Sequence, residues 1–306
     1  MKYRPEGFLY NTDSNSRYLA DIDGLTKAME KSIILEGKVT LCTSSHDLIV
    51  ELPCAKGIIS REEGAIGIKE GKTRDIALIS RVNKIVCFKV RSMELDESGE
   101  VIAVLSRKAA QEECRRNYIL NMKKGDIIEA KVTHLEQFGC FVDIGCGIPS
   151  LIPIDAMSVS RISHPSDRFY IGQTIKVAVK DNINGRIFLT HKELLGTWKE
   201  NASRFRVGET VPGIVRSVED YGIFVELTPN LAGLTEPREG IKTGQSVSVY
   251  IKAILPEKMK IKLIIVDVCC EEVLPEEYDY FINEEHIDSW IYSCESSGKI
   301  IRTDFV

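Results

Sequence analysis

The chain has 306 residues, of which 43% are hydrophobic and 28% charged, and its formal net charge is −5. This length gives room for two or three domains with cores of their own, and the near balance of charge excludes a strongly basic nucleic-acid-binding composition. No apolar run approaches the ~20 residues that span a bilayer, and the nine cysteines contain no C-x-x-C spacing. We therefore expect a soluble protein of the reducing cytoplasm, with no membrane partner.

The first segment, residues 1–35, predicts an extended arm followed by a helix over residues 16–31. Four apolar residues there recur at helical spacing. They are Leu19, Ile22, Leu25 and Met29. We expect this segment to pack on the repeat that follows.

Most of the chain consists of an internal repeat. The stretch "GDIIEAKVTHLEQFGCFVDI" (125–144) aligns without a gap with "GETVPGIVRSVEDYGIFVEL" (208–227). These stretches open a second repeat (124–193) and a third (208–266), and a divergent first repeat (36–106) has a similar order of strands. Each repeat supplies about five short strands, so we predict a mainly β chain of tandem five-stranded OB-fold barrels joined by short helical linkers.

The linkers and the end of the chain have different compositions. Residues 107–123 are rich in helix formers, and residues 194–207 form a second, shorter helical linker. The extension 267–306 has eleven acidic and two basic residues, a net of −9, which leaves about +4 for the rest of the chain. Because this extension also contains five tyrosine, tryptophan and phenylalanine residues before position 293, we expect part of it to dock on the fold.

The second strand of the second repeat carries an unusual pair of rings. Strict alternation sends Phe141 and Asp143 outward, and it sends Phe138 inward unless the chain is bulged. Gly139 makes such a bulge inexpensive, because it adopts positive φ without a Cβ clash. The inward set is Cys140, Val142 and Ile144.

The third repeat has the same pattern in Tyr221, Gly222 and Phe224. With a bulge at the glycine, both rings of each repeat emerge on one wet face and form a stacking platform for nucleic-acid bases. The alternative is that one ring of each pair belongs to the core and the other is an isolated exposed aromatic.

A base-stacking face also needs cations that meet the phosphates. Arg186 is the strongest candidate, because it follows a turn that should hang over the same face. The other candidates are Lys131, Lys180, Lys258, Lys260 and Lys262.

At this point the second repeat, "GDIIEAKVTHLEQFGCFVDIGCGIPSLIPI…IGQTIKVAVKDNINGRIFLT", resembles the S-one RNA-binding motif, named after a bacterial small-subunit ribosomal protein. The resemblance implies an RNA face built of two aromatics on the second strand, a histidine on the third, and an aspartate and a basic residue around the fifth. The aromatics match Phe138 and Phe141, then Tyr221 and Phe224. The basic position matches Arg186 in the second repeat and Lys260 in the third.

This chain departs from the motif in several places. The third-strand histidine is replaced by Pro153 in the second repeat and by Glu236 in the third, and the aspartate falls near Asp181 or Asn182. These departures predict weaker binding by each repeat, offset if two repeats grip one strand. The first repeat has His46 where the first ring should stand and Ile49 in place of the second.

The resemblance implies single-stranded RNA, mRNA in particular, as the ligand, and the small ribosomal subunit as a partner contacted through residues 1–106. No catalytic motif and no metal-ligand spacing occur, so we expect neither an enzyme nor a protein with a metal or a small-molecule cofactor. Two hypotheses stand: an RNA-binding protein of translation, or a docking or regulatory adaptor whose barrels have weak RNA affinity.

Overall fold

The computed structural model describes residues 3–269 and 278–305. Fifteen of the described strands form three closed five-stranded barrels, which confirms the mainly β class and the tandem barrels. The chain divides into two compact units. The first contains the chain up to Met122 together with Asp143–Pro149, and the second contains Lys123–Val142 together with the chain from Ser150 onward.

The first unit contains the barrel of the first repeat, in which the strands follow the order β1-β2-β3-β5-β4. β3 and β5 run parallel and the other neighbouring strands run antiparallel, and a short helix, α3 (Ile76–Ile79), precedes β4. Residues such as Val39, Leu48 and Phe88 fill the interior. The strands are β1 (Leu35–Cys42), β2 (Leu48–Glu51), β3 (Lys56–Ile59), β4 (Ile85–Leu95) and β5 (Val101–Ser106).

The helical part of the amino-terminal segment is two helices, α1 (Asp13–Leu19) and α2 (Ile22–Glu30), so the single helix expected over residues 16–31 is wrong. Asp21 is extended and its side chain accepts a hydrogen bond from the Gly24 backbone N–H at 2.7 Å, which caps α2. The local capping bond therefore outweighs the continuous apolar spacing.

The extended arm packs on the first barrel, as expected. The carboxylate of Glu36 in β1 accepts backbone hydrogen bonds from Gly7, Leu9 and Tyr10 at 2.8–3.0 Å. The expected connecting helix after β5 is α4 (Arg107–Asn117), followed by a short 3-10 turn.

Apart from Asp143–Pro149, the second unit contains the barrels of the second and third repeats, with the orders β10-β8-β7-β6-β9 and β11-β12-β13-β15-β14. A helix, α5 (Trp198–Ala202), lies between them. The second barrel has β6 (Ile127–Glu136), β7 (Gly139–Asp143), β8 (Pro149–Pro153), β9 (Thr174–Ile183) and β10 (Arg186–Thr190). The third barrel has β11 (Thr210–Glu219), β12 (Gly222–Thr228), β13 (Leu231–Thr235), β14 (Ser246–Leu255) and β15 (Lys260–Val268).

Residues 278–305 of the carboxy-terminal extension dock on the second unit, as expected for part of this segment. They form a small sheet of β16 (Ser289–Ile291) and β17 (Arg302–Asp304). Trp290 and Tyr292 join the core of the third barrel, and the Tyr292 hydroxyl donates to the Asn230 carbonyl at 2.6 Å. Four glutamates of the extension, at positions 271, 272, 276 and 277, lie outside the described residues.

Within the described part of the chain, no helix is long and apolar enough to cross a bilayer. Eight cysteines are described, and all have free thiols. The ninth, Cys270, lies outside the described residues.

Candidate nucleic-acid interface

The first ring of each predicted pair stands on a tight hairpin turn. β6 ends at Glu136 and β7 begins at Gly139, which leaves Gln137 and Phe138 as a two-residue turn. In the third barrel Glu219 pairs with Gly222, so that Asp220 and Tyr221 form the equivalent turn. The turn projects the ring into solvent, and Phe138 is 57% exposed and Tyr221 69%.

The predicted bulge at the glycine is therefore wrong. In the third barrel the pairing of β11 with β12 is regular from Gly222 to Phe224, and the shift in register lies in β11, at Arg216. The parity argument failed because it treated the first ring as a strand residue, whereas a turn residue does not follow strand alternation.

The glycine instead allows close packing against the third strand, because it has no Cβ atom. A Cβ atom on Gly139 would lie 2.5 Å from the Ile152 carbonyl oxygen, and one on Gly222 would lie 2.4 Å from that of Thr235. The third-strand leucines lie over the space that is left, with a Cδ1 atom 3.0 Å (Leu151) and 2.9 Å (Leu234) from the same Cβ positions. Each glycine thus lets a leucine lie beside the rings.

The structure brings together the two rings of each pair. The ring centroids of Phe138 and Phe141 are 6.0 Å apart at an interplanar angle of 89°, and those of Tyr221 and Phe224 are 6.2 Å apart at 87°. Phe141 and Phe224 are half-buried, so none of the four rings is a core residue. An edge-to-face pair leaves ring faces open for a planar ligand.

The predicted cations lie on several different strands, whereas the rings form close pairs. Arg186 is exposed at the start of β10, beside β8, and Lys260 is exposed at the equivalent start of β15. Lys180 is exposed at a bulge in β9, between the residues that pair with Phe188 and Leu189.

Lys131 lies on β6, five residues before the strand ends at Glu136. It is two residues before Thr133, whose hydroxyl donates to the Phe141 carbonyl at 3.1 Å. Lys258 and Lys262 of the third barrel are both exposed, the first in a 3-10 turn before β15 and the second on β15.

The sequence left open whether Asp181 or Asn182 occupies the aspartate position of the motif, and the two side chains make different contacts. The Asn182 side chain accepts a hydrogen bond from the Gly185 N–H at 3.0 Å and so shapes the turn between β9 and β10. Asp181 lies directly opposite Phe188 and is 3.7 Å from the Lys124 ammonium. Asp181 is therefore the carboxylate that flanks β10.

Sequence reasoning missed Phe188 as a member of this surface. Along β10, Arg186 and Phe188 are exposed while Ile187 and Leu189 are buried. The same alternation that was applied to β7 places Phe188 on the face of Arg186, so the signal was present in "GRIFLT".

Asp143 was expected on the wet outer face, and this is wrong. It is buried in the first unit, where it accepts hydrogen bonds from the backbone N–H groups of Glu6 (2.7 Å), Gly145 (2.8 Å) and Gly147 (3.0 Å). Burial and the nearby Glu6 carboxylate raise the pKa of Asp143 to about 7. This carboxylate is structural and takes no part in the interface.

Glu226 occupies the position in the third repeat that corresponds to Asp143, and it too is buried. Its carboxylate accepts two hydrogen bonds from the Arg168 guanidinium, at 2.5 and 2.9 Å, and two from the Arg216 guanidinium, both at 3.0 Å. Arg216 also forms an ion pair with Asp167 at 3.2 Å. Since Asp167 and Arg168 precede β9, this cluster ties the second barrel to the third within one compact unit. Ion pairing and hydrogen bonds outweigh burial and raise the pKa of Arg216.

The first barrel has no equivalent ring platform. Its β1–β2 turn contains His46 with φ +66°, and the His46 Nδ1 atom is 3.8 Å from Asp75. Ile49 replaces the second ring and pairs with Ile58 of β3, which in turn pairs with Val104 of β5. All three aliphatic residues are half-buried. The face that carries rings in the other two barrels is aliphatic here.

Comparison with known proteins places this geometry in context. Residues 121–192 match the family described as the S1 RNA binding domain, which is the S-one motif. Small ribosomal subunit protein bS1 of Staphylococcus aureus (strain COL) is 32% identical over 193 residues, which cover 57% of this chain and 49% of that protein. The protein of the same name from Rhizobium meliloti (strain 1021) is 32% identical over 179 residues, covering 52% of this chain and 31% of the relative. The chain thus spans about half the length, or less, of these curated relatives.

Two solved structures are also similar. One is a multidomain protein with nucleic acid binding domains from Streptococcus pneumoniae, at 14% identity and a TM-score of 0.25, covering 76% of this chain and 72% of that one. The other is GSP13 from Bacillus subtilis, at 22% identity and a TM-score of 0.22, covering 23% of this chain and 55% of that one. These scores are too low to relate the whole chains, so the fold assignment rests on the strand topology.

Proposed function

We propose that this chain, whose residues 121–192 match the S1 RNA binding domain, binds single-stranded RNA through its second and third barrels. The observation that carries the proposal is the ring pair that occurs in both barrels. The first ring of each pair stands on a two-residue hairpin turn, and the glycine after it packs closely against the third strand and its leucine.

The chemistry of these faces suits a flexible single strand. Phe138 and Phe141, like Tyr221 and Phe224, offer ring faces on which successive bases stack, and each stacked base contributes on the order of 1–3 kcal/mol with little sequence preference. Arg186 and Lys260 supply exposed cations for phosphates at the start of the fifth strand. A duplex hides its base faces, so it should bind more weakly than a single strand.

The two barrels act together in this proposal. In place of the third-strand histidine of the motif, the second barrel has Pro153 at the end of β8 and the third has Glu236 directly after β13, so each alone should bind weakly. Both belong to the second compact unit and are joined through the cluster around Glu226. When one strand occupies both faces, the second contact becomes intramolecular and gains affinity through effective concentration.

The relatives named small ribosomal subunit protein bS1 support a place in translation. We propose mRNA as the ligand and the small ribosomal subunit in the cytoplasm as the site of action, with residues 1–106 as the docking part. The aliphatic face of the first barrel, formed by Ile49, Ile58 and Val104, favours protein contact over base stacking. The protein acts by binding and has no catalytic role in this proposal.

The competing hypothesis is an adaptor whose barrels have lost useful RNA affinity, and the absent histidines favour it. Fluorescence anisotropy of the full chain with a labelled single strand of ~12 nucleotides, and with the matching duplex, separates the two. We expect saturable binding of the single strand and weaker binding of the duplex. Absence of binding to the single strand at low salt would leave the adaptor.

A second experiment addresses the ribosome. The tagged chain, and a variant lacking residues 1–106, are sedimented with purified small subunits. We expect co-sedimentation of the full chain and its loss in the shortened variant. Equal sedimentation of both would contradict docking through the first barrel.

A further inference from the structure

An exposed phenylalanine on the fifth strand of the second barrel lies beyond the two-ring platform. Phe188 is 39% exposed and stands between the buried residues Ile187 and Leu189. Single exposed apolar residues are common on protein surfaces and need no function. Phe188, however, pairs with Leu151 of β8, and the Leu151 Cδ1 atom lies 3.0 Å from the place that a Cβ atom would take on Gly139, the residue after Phe138.

The third barrel shows that these positions form one line across three strands. There Phe224 of β12 pairs with Leu234 of β13, and Leu234 pairs with Lys262 of β15. The repeat relates Phe141 to Phe224 and Leu151 to Leu234, so the line in the second barrel runs from Phe141 over Leu151 to Phe188. Two strand spacings, about 10 Å, separate its ends.

The equivalence of Phe188 and Lys262 is fixed by a shared irregularity. In both barrels the fourth strand is bulged immediately beside this residue, because Phe188 pairs with Asp181 while Leu189 pairs with Val179. In the third barrel Lys262 pairs with Ala253 while Leu263 pairs with Ile251. The same position therefore carries a ring in one barrel and an ammonium group in the other.

In the first barrel the equivalent position is occupied by Val104. Val104 pairs with Ile58, and the same bulge occurs between Val90 and Ser92 of β4. Val104 has neither a ring nor a charge.

We propose that Phe188 forms a third base-stacking subsite on the second barrel, whereas Lys262 contacts a phosphate at the same position of the third. The ligand of the subsite is a nucleobase of a single strand, next along the strand from the base on Phe141. This inference rests on the proposed RNA-binding function. In this proposal the second barrel binds RNA more through stacking, and the third binds it more through charge.

The test is anisotropy of the full chain with a labelled oligouridylate of ~12 nucleotides, measured over a range of salt concentrations. Phe188→Ala should weaken binding by about 5- to 150-fold, the factor that corresponds to one stacked base, with the salt slope unchanged. Lys262→Ala should flatten the logarithmic salt slope by about 0.7, the value for one phosphate contact on a single strand. Val207→Ala, which trims a 60% exposed side chain in the linker before β11, is the control and should change neither.

An exchange of the two side chains sharpens the result. Phe188→Lys should weaken binding at high salt and steepen the salt slope by about 0.7. Lys262→Phe should strengthen binding at high salt and flatten the salt slope by about 0.7. Wild-type affinity for Phe188→Ala, together with loss of affinity for Phe141→Ala, would refute the subsite and leave the proposed function intact. No binding by the wild type would refute both.

Photocrosslinking of the unmodified chain avoids any effect on folding. Oligouridylate that contains 5-iodouracil at single positions is irradiated in the complex, and the crosslinked residues are identified by mass spectrometry. We expect crosslinks to Phe141 and Phe188 from neighbouring positions of the strand. Crosslinks to Phe141 with none to Phe188 at any position would overturn the subsite.

Discussion

The substitution Glu226→Gln tests how the second and third barrels are held together. Glu226 is 5% exposed, and the side chains of Arg168 and Arg216 that bind it are 2% and 8% exposed. The glutamine keeps the shape of the side chain and removes its charge. Its amide nitrogen also places two donors against guanidinium groups that are themselves donors only.

The size of the effect follows from what each arginine retains. Arg216 keeps Asp167 at 3.2 Å, but Arg168 has no other carboxylate among its described ion pairs. Removal of one partner from a buried pair leaves a charge uncompensated and costs about 3–5 kcal/mol. We therefore expect Glu226→Gln to lower the free energy of unfolding of the second unit by that amount.

The assay is urea denaturation followed by tryptophan fluorescence. The chain has two tryptophans, and both Trp198 and Trp290 are buried in the core of the third barrel, so the signal reports the second unit. Urea is preferred to guanidinium chloride because it does not screen ion pairs. The control is Asp304→Asn, which breaks the half-exposed pair with Arg302 at 2.5 Å and should cost less than about 1 kcal/mol. A loss below 1 kcal/mol for Glu226→Gln as well would refute the reasoning.

Three further predictions concern the second unit. Arg186→Ala should flatten the salt slope of RNA binding by about 0.7, and a wild-type slope would exclude a phosphate contact. Burial, opposed by the bond to the Met157 carbonyl, lowers the pKa of His191 to about 4. An unfolded histidine titrates near 6.5, so stability is lost as pH falls through that window, by about 2 kcal/mol between pH 7 and 5. His191→Gln should show a smaller loss in the same urea titration, and an equal loss would contradict the assignment. Deletion of residues 278–306 should lower the urea midpoint read from Trp198, because it removes Trp290 and Tyr292 from the core. An unchanged midpoint would show that this segment is dispensable.

The sequence predicted the features that repeat. The alternation of apolar residues and the offset of 83 residues between Phe141 and Phe224 were sufficient to indicate five-stranded barrels and paired rings. Both signals are local, and each occurs twice, so one copy checks the other.

The errors arose where a single local contact overrides a regular pattern. The cap by Asp21 divides the predicted helix, and the two-residue turn takes Phe138 out of strand alternation. The glycine after that turn was read as a bulge, although its purpose is the approach of the Ile152 carbonyl, which no local pattern reveals.

The network around Glu226 could not be predicted for a different reason. Arg168 and Glu226 are 58 residues apart in the chain, and a charged residue in a strand normally indicates a solvent-exposed position. Only the packing of the second barrel against the third shows that this carboxylate is buried between two arginines.

The central claim is that the ring pairs hold single-stranded RNA, and affinity measured on ring variants tests it most directly. Phe141→Ala and Phe224→Ala, each titrated by anisotropy against a single strand of ~12 nucleotides, should weaken binding by about 1–3 kcal/mol, with the salt slope unchanged because no phosphate contact is lost. Wild-type affinity for both variants, in a chain that still binds RNA, would contradict the account.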